Sequence, residues 1–160
     1  MANKRKYYDW HATLSRQTGS QGEVCLVIGA KNIGKTFGLR KQCINDFLKN
    51  GDKFCEICRT KDEKKLVAPG YFSKFAELET FKGYIFKSNS NEGYIAKEPP
   101  RDDNGEYIEK PNWQQCCYFI ALTMFQTEKK RTFSGIRRYI FDEAVIDNKT
   151  ATTHICRMNT

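Results

Sequence analysis

Eight consecutive residues, Gly29-Ala30-Lys31-Asn32-Ile33-Gly34-Lys35-Thr36, carry the spacing G-x-x-x-x-G-K-[ST]. Each residue type in that pattern supplies something a polyphosphate needs. The glycines permit a backbone turn that aims successive N–H groups inward, and a helix starting there adds the positive end of its dipole. Lys35 brings a compact charge for β- and γ-phosphate oxygens, and the Thr36 hydroxyl is placed to ligate Mg²⁺. Gly29, Ala30, Lys31, Asn32, Ile33, Gly34, Lys35, Thr36 and Phe37 are therefore the expected nucleotide-binding set, with ATP and Mg²⁺ as cofactors. A second pair, Asp142-Glu143, directly follows the apolar run Tyr139-Ile140-Phe141. An acid at the carboxyl end of a strand stands where open α/β sheets place ligands. Asp142 would hold the metal through water, and Glu143 would orient and deprotonate an attacking water. The expected catalytic residues are thus Glu143 and Lys35, and the metal residues Thr36 and Asp142. Tandem acids of this kind point to hydrolysis rather than transfer to a small molecule. The bland alternatives are a glycine-containing turn with a chance Lys-Thr, and a solvated Asp-Glu at a strand end.

The flanking elements decide between these, since four fixed positions alone match often by chance. Residues 24–28 (Val-Cys-Leu-Val-Ile) are continuously apolar and β-rich, the pattern of a strand buried on both faces. After the loop, Leu39, Cys43, Ile44, Phe47 and Leu48 share one stripe of a helix, and Asn50-Gly51 is a good stop for it. A short strand is expected over 54–58, followed by Arg59, Lys61, Asp62 and Glu63. Pro69-Gly70 breaks the chain. Phe72, Phe75, Leu78 and Phe81, spaced at three and four, predict a helix over 71–82. Residues 83–87 and 93–97 predict a hairpin. Residues 98–112 hold three of the four prolines and five acids, the composition of an exposed excursion. Further strands are expected over 116–123 and 139–141, with loop or short helix over 126–133. Strand alternating with helix predicts an α/β fold of P-loop NTPase type, with a mainly parallel central sheet flanked by helices plus a small β-hairpin insertion. Residues 1–160 read as a single domain, with 1–22 as a lead-in and 83–112 as the hairpin and acidic loop.

Length and charge are consistent with that reading. A chain of 160 residues is long enough to bury one real core. Net charge is +8, and it is uneven: residues 1–65 hold 14 basic and 7 acidic side chains, residues 66–160 hold 13 and 12. A basic first part suits a polyanion. No apolar run approaches the ~20 residues of a membrane span, and no apolar stretch follows the basic N-terminus as a signal peptide requires. Seven cysteines in a chain read as cytosolic are expected to be reduced thiols. Cys55-Glu56-Ile57-Cys58 has no second pair at zinc-site spacing, so buried free thiols are the expectation there.

The order of several motifs resembles a known family. Val27-Ile28-Gly29-Ala30 into Ile33-Gly34-Lys35-Thr36, then residues 44–51 (Ile-Asn-Asp-Phe-Leu-Lys-Asn-Gly), then the strand leading into Arg59-Thr60-Lys61, are similar to the DNA-packaging ATPases of small podovirus-type phages with terminal-protein-primed genomes. Those enzymes resemble the large subunit of phage terminase. A second block holds Gln126-Thr127-Glu128-Lys129 and Tyr139-Ile140-Phe141-Asp142-Glu143. The resemblance implies a P-loop ATPase with an additional strand, acting in the cytoplasm of an infected host and transiently on the procapsid portal. It implies a homo-oligomeric ring that couples ATP hydrolysis to pumping double-stranded DNA, with no membrane partner. Lys35, Thr36, Asp142 and Glu143 carry over in the roles given above. Arg59 and Lys61 match a basic pair for which a trans-acting role in a neighbour's nucleotide site is implied, beside the alternative of a solvated basic loop. Three departures stand out. Lys31 replaces the family's usual arginine, exchanging a planar two-pronged contact for a point charge. Ile146 stands where some members carry an arginine. The chain also stops short of the family's later strands and nuclease-related domain, so it reads as an N-terminal piece. In this fold, residues 152–156 would be a curtailed strand between the acid strand and the phosphate-loop strand, with Asn159 at a phosphate-sensing position.

Two rival functions remain open on sequence: a small-molecule kinase, for instance of nucleosides, and a nucleotide- or DNA-binding module without turnover. Lys129-Lys130-Arg131 and Arg137-Arg138 form a basic region open to DNA phosphate, to solvent or to a neighbouring subunit's ATP. Tyr7, Tyr8 and Trp10 are candidates for adenine stacking, with ordinary packing the commoner outcome. His11 and His154 receive no role.

Overall fold

The computed structural model of the chain describes residues 34–128 and 131–142. The expected elements at 24–28 and 152–156, together with Asn159, Ile146, Tyr7, Tyr8, Trp10, His11 and His154, lie outside them. Helix α1 (Lys35–Asn50) starts after Gly34, whose φ of 85° is left-handed, and ends at Gly51, φ 78°, whose N–H donates to the Phe47 carbonyl at 2.8 Å. Its Cys43, Ile44 and Phe47 are buried, with Leu39 and Leu48 packed at the margin of the core. The apolar stripe in the sequence is the face that meets the sheet.

Five strands form one mixed sheet in the order β2 (Tyr84–Ser88), β3 (Glu92–Lys97), β4 (Gln114–Ala121), β1 (Lys53–Cys58), β5 (Ile136–Phe141). Strand β1 is parallel to both neighbours, pairing Glu56 with Phe119 on one side and with Ile140 on the other. Strands β2 and β3 run antiparallel to each other, and β3 is antiparallel to β4. The expected hairpin exists, but it is not an insertion on a parallel sheet: it continues the sheet past β4. Its apolar side chains join the same core. Phe86 stacks on Phe72 with ring centroids 5.2 Å apart, and Ile95 is buried. Close approach is possible because β3 carries glycine at position 93, where a Cβ would lie 2.6 Å from Phe72 Cε2 and 3.1 Å from Cys117 Cβ.

The predicted helix over 71–82 is not formed as one element. It is a single turn, α3 (Ser73–Ala76), then extended backbone at Leu78 (φ −84°, ψ 132°), then a 3₁₀ turn over Glu79–Phe81. Phe72, Phe75 and Phe81 are all buried. The periodicity therefore reported burial, not a continuous helix. Between β1 and that segment lies a helix the apolar pattern did not announce, α2 (Lys61–Val67). Its signal was chemical. Thr60 caps it by accepting from the Glu63 N–H at 3.1 Å, the first half of a Thr-x-x-Glu capping box. Residues 98–112 are mostly exposed and make one antiparallel bridge, Arg101 with Tyr107. After β4 a 3₁₀ turn leads into the short helix α4 (Phe125–Glu128). No helix among the described residues is long and apolar enough to cross a membrane.

Candidate functional site

Position fixes the chemistry of the two acid and hydroxyl residues first singled out. Thr36 sits in the first turn of α1, and Asp142 is the residue immediately after β5. The Thr36 hydroxyl donates to Asp142 Oδ2 at 2.7 Å across 106 positions of sequence. Three features hold the helix start against the strand end. Ile44 and Cys43 of α1 and Ile140 of β5 belong to one buried cluster. Arg138 of β5 forms an ion pair with Asp46 of α1 at 2.9 Å. Strand β1, parallel to β5, then sets how far Asp142 projects beyond the sheet.

A hydroxyl and a carboxylate side by side are hard oxygen donors suited to Mg²⁺, which is usually bound by one or two protein groups with phosphate and water completing its octahedron. Among the described residues no cluster of three or more His, Cys, Asp or Glu exists that would cage an ion by itself. The donor set thus fits a metal that arrives with a nucleotide. Lys35 is half-buried as the first residue of α1. Phe37, placed in the binding set by sequence, turns its ring onto Phe75 (centroids 5.0 Å, 12° apart) and packs against the core. Gly29, Ala30, Lys31, Asn32, Ile33 and Glu143 lie outside the described residues.

Beneath this pair is a buried charged cluster that the sequence reading missed. Glu56, in the middle of β1, is 2% exposed. Its Oε1 accepts an ion-paired hydrogen bond from Arg40, and its Oε2 accepts from the Tyr71 hydroxyl at 2.8 Å. The Arg40 guanidinium also lies over the Tyr71 ring, 4.7 Å from its centroid. Arg40 is one helical turn beyond Thr36, and both line an open cleft of about 340 Å³ with Phe37, Tyr71 and Lys74. Burial pushes the Glu56 carboxyl above its ordinary range, against Arg40 and the Tyr71 hydrogen bond, and Asp142 adds to the rise. Burial by itself would lower Arg40, but Glu56, Tyr71 and Asp142 together raise it. Burial likewise lifts Tyr71 well above the ordinary tyrosine value. The signal was available: an acid within an otherwise apolar strand must find a buried cation, and Arg40 lies on the helix that covers it.

The other basic candidates divide. Arg59 is half-buried, its N–H donating to Glu63 Oε2 at 2.7 Å, while Lys61 is exposed at the start of α2. Lys129 and Lys130 lie outside the described residues. Arg131 is not an open DNA contact: it binds Glu128 at 2.7 Å and Glu92 at 3.5 Å. Glu128 is itself buried and also accepts from Lys64 at 3.2 Å. Arg138 is committed to Asp46, which leaves Arg137, 76% exposed and 3.7 Å from Asp52, as the open member of that pair. Cys43, Cys55, Cys58, Cys116 and Cys117 are free and buried. Burial pushes the Cys55 thiol up to about 12 and the Cys58 thiol to about 11, which favours the unreactive protonated form.

A family model described as "Podovirus DNA encapsidation protein (Gp16)" matches residues 2–157. The chain is 29% identical over 119 residues to a DNA packaging protein of Bacillus phage B103, covering 74% of this chain and 31% of that protein. It is 28% identical over 119 residues to the DNA packaging protein of Bacillus phage phi29, covering 74% and 30%. It therefore spans about a third of the length of these relatives. Two solved structures share the fold. The crystal structure of the N-terminal domain of the DNA packaging ATPase from bacteriophage phi29 superposes with a TM-score of 0.59 at 23% identity, over 76% of this chain and 53% of that one. A chain of the bacteriophage phi29 viral genome packaging motor assembly gives 0.66 at 24% identity, over 93% and 38%.

Proposed function

The chain belongs to the podovirus DNA encapsidation protein family, and from that premise we propose that it is the ATP-hydrolysing part of a motor that moves double-stranded DNA into a procapsid. The single observation that carries the chemical half of this reading is the Thr36–Asp142 hydrogen bond. A hydroxyl at a helix start and an acid at a strand end, far apart in sequence, meet where a metal–triphosphate would need both. A Mg²⁺ bound there would be held by Thr36 and Asp142 and would supply charge neutralisation to the phosphate oxygens.

The chain's own residues divide the remaining work. Lys35 binds and neutralises the oxygens of the transferring group. The backbone N–H groups of residues 29–36 orient the phosphate chain. Glu143, adjacent to Asp142, aims water in line and takes its proton. Preorganised charge of this kind supplies most of the rate in phosphoryl transfer. The DNA, portal and ring-forming partners rest on the family and on the phi29 motor whose fold this chain shares. Lys61, exposed at the start of α2, is the better placed of the basic pair to act in a neighbour's site.

The test is phosphate release from Mg-ATP as a function of protein concentration, for the parent and for Glu143→Gln. The proposal expects a rate that climbs more steeply than concentration. It expects Glu143→Gln to bind ATP and release no phosphate. Parental turnover by that variant removes Glu143 from the mechanism, and a phosphorylated acceptor in place of free phosphate makes the protein a kinase. The cleft beside Thr36 is the feature a kinase acceptor would use.

A further inference from the structure

The Glu56–Arg40–Tyr71 cluster has no part in the chemistry above, yet it lies directly under the metal residues. Alternate residues of a strand share a face. Glu56 pairs in register with Ile140, so Asp142, two positions on, is on the same side of the sheet, one strand over. Arg40 approaches from the helix above, one turn past Thr36, and its charge interacts with both Glu56 and Asp142. The guanidinium therefore has two carboxylates within electrostatic reach and is bonded to the deeper one. Its Nε–H is buried and has no hydrogen-bond partner among the described residues. A guanidinium has five donors in a fixed fork, and this one keeps a donor in reserve.

An arginine so close to a metal carboxylate is a hazard for a Mg²⁺ site. A guanidinium that pairs with Asp142 occupies the oxygens that the metal uses and places a positive charge where a divalent cation must sit. We propose that Glu56 is a positioning residue whose task is to hold Arg40 away from Asp142, so that the Thr36–Asp142 pair stays available to the metal. The inference rests on the reading of that pair as the metal site. Tyr71 completes the arrangement: its hydroxyl binds the second Glu56 oxygen at 2.8 Å, and its ring backs the guanidinium. Arg40 is thereby fixed from two sides. Asp46, the acid of α1, lies about one and a half turns beyond Arg40 and forms its ion pair with Arg138 at 2.9 Å. Asp142, whose charge already acts on Arg40 and whose Thr36 partner sits one turn before it, is the carboxylate toward which a released Arg40 turns.

The decisive experiment measures Mn²⁺ binding by electron paramagnetic resonance, in the presence of a non-hydrolysable ATP analogue, on the full chain, together with a thermal melt. Glu56→Gln keeps the shape of the side chain and one acceptor oxygen, which can still take the Tyr71 hydroxyl, but removes the charge that holds the cation. It is expected to weaken Mn²⁺ binding about tenfold, the scale on which partners behind metal ligands act. Adding Arg40→Met to Glu56→Gln removes the competing cation and leaves no unpaired charge. That double variant is expected to bind Mn²⁺ within about twofold of the parent. A purely structural pair would show suppression in the melt as well, so the proposal requires that Mn²⁺ binding be weakened in a Glu56→Gln variant that is folded at the assay temperature and recover in the double variant. Equal weakness in the single and double variants overturns the proposal, as does parental binding in Glu56→Gln. Should Glu56→Gln give no cooperative melt, the double variant still decides, since binding about tenfold weaker than the parent also overturns it. Asp142→Asn separates the two levels of argument. If it leaves Mn²⁺ binding unchanged, the metal-site reading itself fails. If it weakens binding while Glu56→Gln does not, only the role of Glu56 is lost.

Discussion

Asp142→Asn should separate function from stability, and the geometry says by how much. The substitution keeps volume and an oxygen that can still accept from the Thr36 hydroxyl, now 2.7 Å from Asp142 Oδ2. Only the charge is lost. The pair is exposed, so solvent screening cuts the usual value of a charged hydrogen bond to less than about 1 kcal/mol. For a chain of this size that is a fall of at most about 2–4 °C in melting temperature. Metal binding depends on the charge directly. Whether the carboxylate touches the ion or holds it through water, its loss is expected to weaken Mg²⁺-dependent nucleotide binding roughly 10–100-fold, about 1.4–2.8 kcal/mol. The assay pairs a thermal melt with titration of a fluorescent ATP analogue at several Mg²⁺ concentrations. Parental Mg²⁺ dependence in a folded Asn variant would refute the assignment of Asp142 to the metal. A loss of binding accompanied by a drop far beyond the stated melting range would refute the separation of site from scaffold.

Two further outcomes test the frame that holds the site. Gly93→Ala sets a methyl 2.6 Å from the Phe72 ring and 3.1 Å from Cys117 Cβ, so denaturant titration should find it about 1–3 kcal/mol less stable, and an unchanged midpoint would mean that β3 does not pack as described. Hydrogen bonds from Arg131 and Lys64, with their charges, outweigh burial and hold the Glu128 carboxyl below its ordinary value of 4.5. The unfolded chain then binds that proton more readily, and the stabilisation is complete above 4.5 and lost as pH falls through the depressed value. Glu128→Gln should accordingly be less stable at neutral pH and show a flatter acid slope in melts across that window, and parallel slopes would sink the assignment.

What could be read from the amino acids alone was local or strongly patterned. Cys43, Ile44 and Phe47 announced α1, and Asn50-Gly51 its end, because a 3.6-residue period and a left-handed cap are properties of neighbours in sequence. Asp142 was assigned to a strand end from three apolar residues before it. The errors arose where tertiary burial imitated a local pattern. Phe72, Phe75 and Phe81 are spaced as on a helix because three buried rings must line one core, although Leu78 is extended between the last two. The hairpin reads from sequence as a small insertion, since its turn is a local signal and its partner in the sheet is not. Its pairing with β4 and the fit of Gly93 under Phe72 are long-range facts. Nothing in the local pattern marks Lys64 or Arg131 as partners of Glu128, and only the fold brings that acid between them.

The same reasoning explains why the proposed metal pair and the cluster beside it differ in character. Thr36 is half-buried and Asp142 is exposed, so an incoming ligand can reach the pair. Glu56 and Tyr71 are almost wholly buried, with Arg40 closing over them. Burying an ion pair rarely adds stability over apolar residues of similar volume, because desolvation offsets the Coulomb attraction. A scaffold shaped for stability alone would carry an apolar side chain at position 56, as positions 54 and 119 do on the same face with Phe54 and Phe119. The retained charges reach the strand end: Arg40 and Glu56 both interact with Asp142. Stability is supplied elsewhere, by the aromatic core around Phe72. The cluster therefore acts on the charge at the strand end, and the substitutions at 40 and 56 should move metal affinity in opposite directions while substitutions in the aromatic core move only the melt.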